Sequence, residues 1–93
     1  MIKGFADTRT EQIFNGRKIK RLNADLQKKA LRRLRYIDAA NKIGDLRVPP
    51  SNKLEKKVGD LQGFYAIWVN KQWRLIFKWT NGDAYAVQLV DYH

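Results

Sequence analysis

Ninety-three residues with 19 Lys and Arg against 9 Asp and Glu, a net charge of +10, describe one small domain (1–93) whose field attracts polyanions. A 44% hydrophobic share with three Trp, four Tyr and four Phe excludes a disordered tail. The absence of cysteine excludes disulfides, thiolate catalysis and sulfur-built zinc sites, and one histidine argues against a protein-built metal site.

The first seven residues lack the apolar core of a signal peptide, and no stretch approaches the roughly 18 to 20 apolar residues of a membrane span. A soluble cytoplasmic protein without membrane contact or cofactor is expected, with nucleic acid as the first partner to consider. Residues 2–5 read as a short strand. Thr8-Arg9-Thr10-Glu11 then matches a capping box, with Thr8 as the cap, and predicts a helix of about two turns that stops at Asn15-Gly16.

After the basic linker 17–21, Asn23 is placed to cap a second helix with Asp25 in its first turn. Leu26, Ala30, Leu34 and Ile37 recur at spacings of three and four, an apolar stripe with Lys28, Lys29, Arg32, Arg33 and Arg35 around it. That basic surface is either a solvated helix face or a dock for nucleic acid or ribosome. Residues 44–63 lose all periodicity. Two prolines exclude regular helix there, and a loop this long in so small a domain is usually functional. It carries Lys53, Glu55, Lys56 and Lys57.

Residues 64–69, 73–79 and 84–90 read as three antiparallel strands, separated by Asn70-Lys71 and Asn81-Gly82. A two-residue Asn81-Gly82 loop would set Arg74 opposite Leu89 and mix charge with the apolar set. A three-residue loop over 80–82 sorts the faces better. It predicts an inner face of Trp73, Leu75, Phe77, Trp79, Tyr85, Val87 and Leu89, and an open face of Arg74, Ile76, Lys78, Ala84, Ala86 and Gln88. By alternation Tyr92 joins the open face, next to Asp91 and the sole histidine, His93.

The strings Lys53-Leu54-Glu55, Asn70-Lys71-Gln72-Trp73-Arg74-Leu75, Asn81-Gly82-Asp83-Ala84-Tyr85 and the closing Asp91-Tyr92-His93 resemble the HigB-type branch of the RelE superfamily of bacterial toxins. The resemblance covers nearly the whole chain. It implies an α+β fold with a short N-terminal strand and two helices on one face of a small, mainly antiparallel sheet. It also implies a ribosome-dependent endoribonuclease that cuts mRNA, and a helix-turn-helix, HigA-like antitoxin through which alone operator DNA is met. Carried over by motif, the catalytic group is Arg74, Asp91, Tyr92 and His93. Lys56 or Lys57 join it as loop lysines, while Glu55 stands where some relatives have a catalytic histidine.

Cleavage of RNA without a metal needs a base for the 2′-hydroxyl, cations for the crowded phosphorane and an acid for the departing 5′-oxygen. Arg74, Lys53, Lys56, Lys57 and Lys78 can face phosphate. Glu55, Asp91 or His93 can act as base, and His93 or Tyr92 as acid; Tyr92 can instead stack on a base of the message. A non-catalytic RNA- or ribosome-binding protein would use the same charges, and a pure protein-interaction module would leave them unexplained.

Overall fold

The computed structural model describes residues 1–92; His93 lies outside the described residues. Helix α1 (Thr8–Phe14) starts one residue away from the sequence expectation. Its cap is Asp7, whose Oδ1 accepts the Thr10 N–H at 2.8 Å, and Thr8 is already helical. The carboxylate suits the positive end of the helix. Helix α2 (Ala24–Ala39) is capped as expected, Asn23 Oδ1 accepting the Leu26 N–H at 3.0 Å. Leu26, Ala30, Leu34 and Ile37 are all buried, and Lys28, Arg32 and Arg35 are exposed. The Gln27 amide pins the linker by bonding the backbone of Ile19 and Leu22.

The region 44–63 is more ordered than its sequence suggests. Short 3-10 turns at Ile43–Arg47, Pro50–Asn52 and Gly59–Leu61 frame a two-residue strand, β1 (Glu55–Lys56), which adds a fourth strand to the three expected. With β2 (Phe64–Trp68), β3 (Trp73–Thr80) and β4 (Asp83–Asp91) it forms an antiparallel sheet in the order β1-β2-β3-β4. Both helices cover one face, and Leu75, Phe77, Ala84, Val87 and Leu89 close the core beneath them. No helix among the described residues is long and apolar enough to cross a membrane.

The β3–β4 hairpin takes the two-residue register at its turn and, beyond a bulge, a shifted register that restores the inward parity of Val87 and Leu89. The turn is the two-residue one: Asn81 and Gly82 have φ of 50° and 82°, as a type I′ turn requires, and Trp79 pairs with Ala84. Continued unchanged, that register would bury Ala86 and expose Val87 and Leu89. An extra residue at Ala86, φ 52°, resets the pairing so that Leu75 meets Leu89 and Arg74 meets Val90. The expected three-residue loop is therefore incorrect, and Ala84 faces the core while Tyr85 faces out, the reverse of the predicted placement. The hairpin tip packs against the end of α2, where a Cβ on Gly82 would stand 3.2 Å from the Asn41 carbonyl.

The free edge of β4 is closed by the N-terminus. Residues 2–5 form two parallel bridges, Ile2 to Ala84 and Phe5 to Val87, in place of a continuous strand. Past them, α1 takes over: the fully buried Thr10 accepts the Leu89 N–H at 2.9 Å, and Arg9 donates to the Leu89 carbonyl at 3.0 Å. The edge groups of Ala84, Val87 and Leu89, which would otherwise invite another strand, all have partners here. Thr10→Val keeps the shape and leaves the buried Leu89 N–H unsatisfied. We expect a loss of about 1–3 kcal/mol in urea unfolding, restored by Thr10→Ser.

Candidate active site on the open sheet face

The site begins as a turn problem. Asn70 Oδ1 accepts the N–H groups of Gln72 at 2.9 Å and Trp73 at 2.8 Å, an Asx turn that starts β3 at Trp73. Several carbonyls then converge on one side. Arg74, only 8% exposed, meets them: its Nη1 donates to the carbonyls of Asn70 (2.6 Å), Lys71 (3.2 Å) and Trp73 (3.1 Å). The guanidinium is thereby fixed in position, with its remaining donors on Nη2 and Nε unspent on any protein acceptor among the described residues.

Around this fixed charge, cations and rings alternate. Trp68 is the cross-strand partner of Arg74, and its ring centroid lies 3.9 Å from the guanidinium carbon. Lys53 Nζ sits 3.8 Å from the same ring. The Tyr92 ring stands 5.3 Å from the Arg74 guanidinium and 4.6 Å from Lys57 Nζ. Lys57 also pairs with Glu55 at 3.2 Å. Each cation–ring contact contributes about 0.5–2 kcal/mol, so three positive side chains are held together that would otherwise repel. Lys53 is aimed by its neighbour: fully buried Asn52 donates to the Leu46 carbonyl at 3.2 Å, which anchors the loop just before Lys53 turns into the left-handed region.

Alternation sorts the predicted residues. Glu55, with Ala66, lies on the open face, whereas Lys56, opposite Tyr65, lies on the other side; of the two loop lysines it is Lys57 that reaches Tyr92. Asp91 pairs with Trp73 and so falls on the side of β4 away from Arg74, where its Oδ2 accepts from the Gln72 amide at 3.0 Å. Lys78 is exposed on the open face but at the far end of β3 from the cluster. His93 lies outside the described residues. Trp68 is the residue that sequence reasoning passed over, although β2 pairing across the Asn70 turn would have set it beside Arg74.

A profile of the HigB-like toxins, described as the RelE-like toxin of the type II toxin–antitoxin system HigB, matches residues 3–93. The chain belongs to this family. Among similar proteins, Toxin HigB-1 of Vibrio cholerae is 42% identical over 86% of this chain and 85% of its own length. Endoribonuclease HigB of Proteus vulgaris is 43% identical over 66% of this chain and 65% of its own. Solved structures of the same fold include the YoeB dimer of Staphylococcus aureus, with a TM-score of 0.61 at 19% identity, covering 99% of this chain and 94% of that one. The YoeB–YefM complex of the same organism gives 0.60 at 18%, covering 100% and 98%. The α+β architecture expected from the resemblance is thus the one found.

Within this HigB-like site, Lys57 is the group whose acidity is moved. The Tyr92 phenol first, and the Glu55 carboxylate after it, hold its ammonium charged above the ordinary value of 10.5. The contact favours the charged form, so the stability it lends is complete below 10.5 and disappears as pH rises through the raised folded value. In an NMR titration of the lysine amines, Lys57 should be the late one. Tyr92→Phe should bring it back toward 10.5, and an unchanged titration would show that the phenol does not hold it.

Proposed function

We propose that this chain is the toxin of a type II pair and an endoribonuclease that cuts mRNA on the ribosome in the cytoplasm, inhibiting translation and growth. The cluster of Lys53, Trp68, Arg74, Tyr92 and Lys57 carries the reading: fixed cations for a phosphate and rings for a base, on an open face. The name of the Proteus relative, an endoribonuclease, supports the activity. Its cognate partner in this reading is a helix-turn-helix, HigA-like antitoxin, through which alone operator DNA is reached.

The unspent edge of Arg74, with Lys57 and Lys53, takes the non-bridging oxygens of the scissile phosphate. A base removes the proton from the 2′-hydroxyl, the 2′-oxygen attacks phosphorus, and the bond to the 5′-oxygen breaks as an acid delivers a proton to it. The products are a 2′,3′-cyclic phosphate and a 5′-hydroxyl. Glu55 is the open-face carboxylate beside the cluster, paired with Lys57, and we assign base duty to Glu55 or His93. Acid duty falls to Tyr92 or His93. Asp91, turned to the other side of β4, serves to position the chain end through Gln72. Lys56 and Lys78 lie outside the reacting group.

One observation favours a weaker, mainly adhesive protein: Arg74 is nearly buried, with one nitrogen already given to three carbonyls. Incubation with translating ribosomes separates the two readings. Cut message with cyclic phosphate ends is expected from the wild type. Lys57→Ala, Tyr92→Phe and deletion of His93 should each lower cutting by roughly 10² to 10⁴ where the residue transfers a proton, and less where it only holds phosphate. Uncut message with wild-type protein on ribosomes would leave the adhesive reading standing.

A further inference from the structure

The open face continues past Arg74 toward the hairpin tip. There Phe64 of β2, Lys78 of β3 and Tyr85 of β4 form a single cross-strand row. Tyr85 is 39% exposed, Lys78 is exposed and Phe64 is half-buried, and none of the three packs into the core cluster. The two-residue turn, which pairs Tyr85 with Lys78, is what turns the Tyr85 ring outward. Between this row and the Trp68–Arg74 pair lie Ala66, Ile76 and Gln88, an uncharged floor. Four steps along β3 lead from Arg74 to Lys78, roughly 13 Å at about 3.3 Å each. That is too far for one nucleotide's base and phosphate to touch both ends.

We propose that Phe64, Lys78 and Tyr85 form a second RNA subsite, which stacks a base of the single strand away from the cut and fixes how the strand crosses the sheet. Two rings flanking an ammonium suit a base and its phosphate, because stacking accepts any base and the cation meets the backbone. Charge favours a polyanionic strand over an apolar partner. The carboxylates of this face are already engaged, Glu55 by Lys57 at 3.2 Å and Asp83 by the Met1 ammonium at 3.5 Å, which leaves a net positive track. The proposal rests on the Trp68–Arg74 end being the RNA site, and the test keeps the two apart.

Binding is measured by fluorescence anisotropy with 2′-O-methyl RNA, which cannot be cut, as a trinucleotide and as an octanucleotide. Tyr85→Ala should weaken the octanucleotide about tenfold and leave the trinucleotide unchanged, while Tyr85→Phe binds both like the wild type. Thermal melting checks that the exposed substitution leaves the fold intact. Wild-type affinity of Tyr85→Ala for the octanucleotide overturns the subsite. So does equal weakening of both oligomers, or a loss with Tyr85→Phe as large as with alanine. Trp68→Ala weakening both oligomers while Tyr85→Ala weakens neither would keep the first site and discard the second. A wild type that binds neither oligomer removes both.

Discussion

A guanidinium withdrawn from water must place its donors, and Arg74 places one nitrogen on three carbonyls of the β2–β3 turn while its central carbon lies 3.9 Å from the centroid of the Trp68 ring. Removing one partner from such a buried, hydrogen-bonded charge typically costs several kcal/mol, because the remaining groups are left unsatisfied. The turn therefore depends on the same side chain as the candidate site. The Lys53, Lys57 and Tyr92 side chains are assembled around a group that the fold itself holds rigid. Preorganisation of this kind is what phosphoryl chemistry without large motions requires.

The second constraint is β4, which has to serve a tight hairpin at one end and the core at the other. A two-residue Asn-Gly turn and an inward Val87 and Leu89 demand opposite parities, and a single residue at Ala86 reconciles them. The cost is an alanine in the left-handed region, of order 1–3 kcal/mol, offset by the buried ladder on either side. The outcome decides the face of every residue from Tyr85 to Tyr92, and so decides that Tyr92 meets Arg74 while Asp91 does not.

What was legible in the sequence follows from range. The α2 stripe and the Asn23 cap are local patterns, and they hold residue for residue. The three long strands are equally plain from their aromatic and β-branched runs. The cap of α1 was off by one because Asp7 and Thr8 are both good caps, and only the distant Leu89 amide explains why Thr10 is needed elsewhere. The bulge left no mark, since nothing about alanine announces a positive φ. β1, two residues long in a loop of charges, has no periodicity to read. For the site, Arg74 and Tyr92 emerged from motif and alternation and Lys57 only as one of two loop lysines, whereas Trp68 required the pairing across the Asn70 turn.

The central claim is that RNA meets the open face and not the helices or the core-facing side of the sheet. The three tryptophans report on it directly, because Trp68 lies on the open face while Trp73 and Trp79 pack against the core. Their indole N–H resonances can be followed as uncleavable RNA is added. The account predicts that Trp68 shifts in proportion to occupancy and that Trp73 and Trp79 barely move. A silent Trp68 at saturating RNA, or a larger shift at Trp73 or Trp79, would contradict it.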